Sequence, residues 1–150
     1  MEYKGNYIDG VWLPVDEAGA QGVLERENPR DTNEVVFRAP WSTEAVDQAV
    51  DAARAALPQW SAKTVEERLS LIKEFAALLD ENKQQLAALI AQETGKPLWE
   101  TATEIGAMIG KIAISEKAYF ERTGTVENPM PVGKAFIRHK PHGVVAVFGP

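Results

Sequence analysis

Cysteine does not occur in these 150 residues. That excludes a disulfide, a thiolate metal site and a cysteine nucleophile within the chain. Histidine is scarce: His139 and His142 lie three apart around Pro141, with no metal-ligand partner near them in sequence. Both read as surface or turn residues. No apolar stretch is long enough to span a bilayer. The opening "MEYKGNYIDG" lacks the basic region and apolar core of a signal peptide, so a cytoplasmic location is expected. The net charge of −6 comes without a basic stripe, which argues against a nucleic-acid partner. There is no G-x-G-x-x-G, no P-loop and no G-x-S-x-G. Repeats and low-complexity tracts are missing too.

What is present reads as strands, then a large helical block, then strands. In "NYIDGVWL", Asp9-Gly10 suits a two-residue type I′ turn between strand formers. In "ENPRDTNEVVFRAP", Asn28-Pro29 marks a turn and residues 34–38 a short strand. Pro14 and Pro40 bound these pieces as edges.

Ser42 is a candidate cap for a first helix, with Glu44 in its first turn and Pro58 as its stop. Thr64 and Glu67 form a capping box for a second, whose buried side would be Leu69, Ile72, Phe75, Leu78 and Leu79. A third run, Leu86, Leu89 and Ile90, ends at Gly95. Pro97 suits the first turn of a fourth helix reaching about Phe120, with Gly124 beyond it.

On that fourth helix an apolar stripe (Ile105, Ile109, Ile112) runs beside a stripe of small residues (Gly106, Gly110, Ala113). Two glycines inside a helix cost about 1 kcal/mol each against alanine. Close helix packing or a bare face lining a cavity would offset that. Lys111 lies one turn beyond Ala107; a lone helical lysine is ordinarily solvated, and matters if its helix faces an acidic ligand. "ETGKP" resembles a phosphate loop only superficially, since proline stands where the hydroxyl residue should follow Lys96. "TVENPMPVGK" reads as a loop and "AFIRHK" as a weak alternation. Val144 to Phe148 is an unbroken apolar run, expected as a strand buried on both faces.

Taken in order, "NYIDGVWL", "NPRDTNEVV", the helical block through "ETGKPLWE" and "RHKPHGVVAVFGP" resemble the amino-terminal part of the NAD(P)-dependent aldehyde dehydrogenase superfamily. Within it, "ETGKPLWETATEIGAMIGKIAISEKAY", "RTG" and "HKPHGVVAVFGP" are similar to the succinylglutamate semialdehyde dehydrogenases of bacterial arginine catabolism. The resemblance implies an α/β fold: the hairpin and helical part of a Rossmann-like cofactor domain (1–124), a bridging or oligomerisation arm (125–143), and the first parallel strand of the core (144–150), at which the chain is truncated.

The resemblance also implies site residues. Phe148, Gly149 and Pro150 would run along NAD near the nicotinamide ribose. Ala107 and Lys111 would flank the substrate tunnel. Glu93, with backbone near Arg26 and Glu27, would hold a monovalent cation. No catalytic residue is expected here, because the family's cysteine, its glutamate base and its oxyanion-hole asparagine would lie after Pro150. The parent would be a homo-oligomer acting on a small aldehyde, without nucleic acid or membrane. The choice between NAD and NADP lies outside these residues. A stand-alone helical interaction module, or part of another semialdehyde dehydrogenase, is the alternative.

Overall fold

The computed structural model describes residues 4–149. Its elements are β1 (Asn6–Ile8), β2 (Val11–Leu13), β3 (Gly22–Asn28), β4 (Asp31–Trp41), α1 (Glu44–Ala62), α2 (Val65–Glu81), α3 (Lys83–Thr94), α4 (Leu98–Arg122), β5 (Thr125–Pro129) and β6 (Lys134–Arg138). The strands pair as three separate antiparallel ribbons, β1 with β2, β3 with β4 and β5 with β6.

The first ribbon turns as its sequence demands. Asp9 and Gly10 both have positive φ, 50° and 79°, as a type I′ turn needs. The second ribbon is longer than the 34–38 strand expected. β4 runs to Trp41 and pairs with β3, including Val23 opposite Pro40. Pro40 does not end the strand, because each strand of a two-stranded ribbon has an open edge where a missing N–H breaks no ladder bond. Glu25 stands opposite Arg38 and bonds its Nε at 3.0 Å, an opposed cross-strand pair that supports the register. At the ribbon tip the Asn28 side chain is buried and satisfied: it accepts from Arg30 N at 3.0 Å and donates to Glu34 at 2.7 Å.

α1 begins where Glu44 N donates to Ser42 Oγ at 3.2 Å, with Glu44 and Asp47 near the positive end of its dipole. Pro58 was expected to stop it but lies inside it. No residue of α1 is buried, so water can serve the carbonyl that proline leaves without its N–H. α2 carries the capping box in full: Glu67 N donates to Thr64 Oγ1 at 3.2 Å and Thr64 N to Glu67 Oε2 at 2.7 Å. "TVENP", expected as loop, is β5; Pro129 sits at its last ladder position, opposite Lys134.

α3 ends on Gly95, whose φ of 73° and ψ of 6° are left-handed and whose N–H donates to Ala91 O at 2.9 Å. A Cβ there would lie 3.2 Å from Pro29 Cβ. Nearby, Arg26 Nε donates to the Glu93 carbonyl at 2.8 Å. The tip of the second ribbon is thus clasped to the end of α3. Pro97 then caps α4. The core follows from this junction: Ile105 and Thr101 of α4 are fully buried, with Ala87 of α3, Leu79 of α2, and Val36 and Ala39 of β4. Thr101 Oγ1 donates to Leu98 O at 3.1 Å, which satisfies its hydroxyl.

The expected apolar side of α2 is only partly covered. Leu79 is buried, but Ile72, Phe75 and Leu78 are exposed. The accessible surface is 11793 Å² for a 16.5 kDa chain. A compact monomer of that mass exposes roughly 7,600 Å².

Gly95→Ala should destabilise the chain by about 1–2 kcal/mol through its left-handed backbone alone, and further through the Pro29 contact. Gly19→Ala, where a Cβ meets nothing within 4 Å, should stay within about 0.5 kcal/mol of wild type. Urea unfolding followed by circular dichroism checks both; equal midpoints for the two variants would remove Gly95 from its assigned role.

Candidate functional site

α2 and α4 lie side by side and are bridged by Lys73 Nζ to Glu116 Oε1 at 2.8 Å. Between them runs a groove of about 660 Å³. Its apolar lining comes from Leu69, Ile72 and Phe75 on α2 and from Met108, Ile112 and Tyr119 on α4. Helical spacing explains this, since residues three and four apart share a face. Arg68 and Lys111 also line it. Arg68 Nη1 donates to the Lys63 carbonyl at 2.8 Å. Lys111 has no ion pair or hydrogen-bond partner among the described residues. Ala107, one turn before Lys111, is exposed and is not part of the lining.

The glycines of α4 were expected either to pack against another helix or to line a cavity. A Cβ at Gly110 would meet nothing within 4 Å, and one at Gly106 only Lys83 Nζ at 3.9 Å. Neither lines the groove. That face of α4 is open at Gly110 and meets only the tip of an α3 side chain at Gly106, so no close backbone packing among the described residues offsets their cost.

Glu93 sits half-buried in the last turn of α3, its carbonyl engaged by Arg26. Among the described residues no group of three His, Asp or Glu could hold a metal ion. Lys96 follows the turn and points along α4. It hydrogen-bonds Glu104, and Glu100 Oε1 lies 3.8 Å away. The Glu104 hydrogen bond and charge, helped by Glu100, hold the Lys96 ammonium above the usual lysine range. "ETGKP" is therefore a helix C-cap followed by an ion-paired lysine, as its proline suggested. His139 Nδ1 lies 3.0 Å from Gly124 O, and His142 is exposed.

Val144 to Phe148 departs from the expected buried strand. It belongs to no strand, and Val145, Val147 and Phe148 are 64%, 87% and 94% exposed. A strand buried on both faces needs neighbours on both sides, and no described strand lies beside it. Phe148 and Gly149 fall in this exposed stretch; Pro150 lies outside the described residues. The residues drawn from the resemblance are thus not gathered in one place: Lys111 lines the groove, whereas Glu93, Phe148 and Gly149 do not. Sequence reasoning missed Arg68, Met108 and Tyr119. Their helical spacing from Ile72 and Ile112 was the available signal.

The sequence profile of the aldehyde dehydrogenase family matches residues 15–150. The chain belongs to the aldehyde dehydrogenase family. Solved structures agree in fold. An NAD-dependent benzaldehyde dehydrogenase from Corynebacterium glutamicum superimposes with a TM-score of 0.73 at 22% identity, covering 88% of this chain and 28% of that one. Betaine aldehyde dehydrogenase from Staphylococcus aureus, in complex with NAD⁺, gives 0.71 at 26% identity, covering 86% of this chain and 26% of that one. PnpE in complex with nicotinamide adenine dinucleotide gives 0.71 at 27% identity over 85% and 26%. The chain spans about a quarter of the length of these aldehyde dehydrogenases. No described helix is long and apolar enough to cross a membrane.

The open stretch at Val144–Phe148 generates a direct expectation. Its amides should exchange with solvent deuterium at nearly the unprotected rate, while those of Thr101 to Ile105 exchange slowest. Comparable protection of both segments in a monodisperse sample would contradict the unpaired placement.

Proposed function

We propose that these residues supply the amino-terminal part of an NAD-dependent aldehyde dehydrogenase that oxidises N-succinyl-L-glutamate 5-semialdehyde to N-succinyl-L-glutamate in arginine catabolism. The family match over residues 15–150 carries the dehydrogenase part of this reading. The substrate rests on the "ETGKPLWETATEIGAMIGKIAISEKAY" and "HKPHGVVAVFGP" resemblance, and on an unpaired lysine, Lys111, at the wall of a groove. An anionic substrate gains from a fixed cation at such a wall.

The chain's own share of the chemistry is binding. Without cysteine it cannot form the thiohemiacetal on which the family's reaction turns; that thiolate would come from another part of a longer polypeptide. When bound, NAD⁺ accepts the hydride. The described residues alone do not make a dinucleotide site: Phe148 is exposed, and a Cβ at Gly149 would meet nothing within 4 Å. Phe148, Gly149 and Pro150 are proposed to border the cofactor once the rest of its domain is beside them. Ala107 and Lys111 are proposed as substrate contacts. Glu93, with the backbone of Arg26 and Glu27, is proposed to hold a monovalent cation. Residues 125–143 are proposed to bridge subunits of a homo-oligomer in the cytoplasm.

Two measurements test this. The purified 150-residue chain should produce no NADH from any aldehyde; turnover that is retained to homogeneity and lost on unfolding would overturn the assignment of catalysis to residues elsewhere. In a full-length enzyme carrying this segment, Lys111→Met should raise KM for the succinylated semialdehyde with kcat little changed. A loss of about 1–3 kcal/mol in kcat/KM is typical of a hydrogen bond to a charged group left unmade. A neutral aldehyde of similar length should show a smaller penalty. Unchanged kinetics on the acidic substrate would return Lys111 to the solvated surface.

A further inference from the structure

We propose that the groove between α2 and α4 binds small carboxylates with an apolar body, held by Arg68 and Lys111 together. Three charged side chains line it: Arg68, Lys111 and Glu116. Glu116 is answered by Lys73 at 2.8 Å. Arg68 has only a neutral carbonyl partner, that of Lys63. Lys111 has none among the described residues. The groove therefore carries two uncompensated positive charges in a chain whose net charge is −6.

The rest of the lining is apolar, with Leu69, Phe75 and Met108 among its residues. At about 660 Å³ it falls within the roughly 300–1,000 Å³ common for small-molecule sites. An inorganic anion would use the cations but not the apolar walls; a neutral hydrocarbon would use the walls alone. A carboxylate on an apolar chain or ring uses both, and an ammonium on the same chain is repelled. This inference shares Lys111 with the aldehyde reading and goes beyond it by adding Arg68 and the apolar walls. Binding needs neither cofactor nor turnover, so it can fail while the dehydrogenase assignment stands.

The test is titration of the 150-residue chain with octanoate and, separately, octylammonium, each below its micelle concentration, followed by methyl NMR. Octanoate should shift the methyls of Leu69, Ile72, Met108 and Ile112, and its affinity should fall as salt rises. Octylammonium should bind at least about fivefold more weakly. Combining Arg68→Met and Lys111→Met should weaken octanoate by roughly two- to thirtyfold, the range for two surface ion pairs, and leave octanol unchanged. Equal affinity for octanoate and octylammonium would overturn the proposal, as would shifts confined to other parts of the chain or no shift at millimolar octanoate. The comparison of the two ligands on the unaltered chain decides the matter even if the double variant fails to fold.

Discussion

The left-handed turn at Gly95 is the constraint on which the other arrangements rest. It ends α3, and Pro97 allows α4 to start at once. α3 and α4 lie against each other, and Ile105 and Thr101 of α4 and Ala87 of α3 are buried. The same glycine, lacking a Cβ, lets Pro29 approach, so the ribbon of β3 and β4 docks where the helices turn. One backbone conformation therefore sets the crossing of α3 with α4 and the seat of the ribbon. A residue with a side chain would meet both penalties together, an unfavourable φ and a crowded neighbour.

Away from that junction the chain is thinly covered. Apolar residues on α2, on α4 and in Val144–Phe148 face outward, and the surface is about half as large again as a compact monomer's. Exposed apolar area of this extent marks interaction surfaces. For a chain matching about a quarter of the length of solved aldehyde dehydrogenases, much of this surface is suited to contact with further protein. The groove differs from the rest in holding unpaired charge, which favours a ligand of opposite sign over simple apolar contact.

Much of the fold could be read from local chemistry. The Asp9-Gly10 turn, the Thr64–Glu67 capping box and the Gly95 stop depend on groups within a few residues of one another, and all three stand as expected. Prolines misled for one shared reason. Pro40 and Pro58 were expected at the ends of their elements, but both lie inside open ones: an edge position of a two-stranded ribbon needs no ladder N–H, and in exposed α1 water can serve the carbonyl that Pro58 leaves unbonded. Val144–Phe148 failed in the opposite sense: its residues suit a buried strand, yet burial belongs to the neighbours. The site was the least legible part. Lys111 could be singled out, but Arg68 became its companion only once α2 and α4 were seen side by side.

The clasp between ribbon and helices also bears on the order of assembly. α3 and α4 meet across a turn of a few residues, so their contact closes almost no loop. Arg26 and the Glu93 carbonyl are 67 positions apart, and the chain between them includes α1 and α2. Closing a loop costs entropy that rises with its length, by about 0.6 kcal/mol per doubling. The helical pair is thus the piece that forms on local information, and the ribbon is the piece that must be captured. Gly95 acts as the latch for that capture, since the left-handed turn that shapes the helical pair also leaves the space into which Pro29 fits.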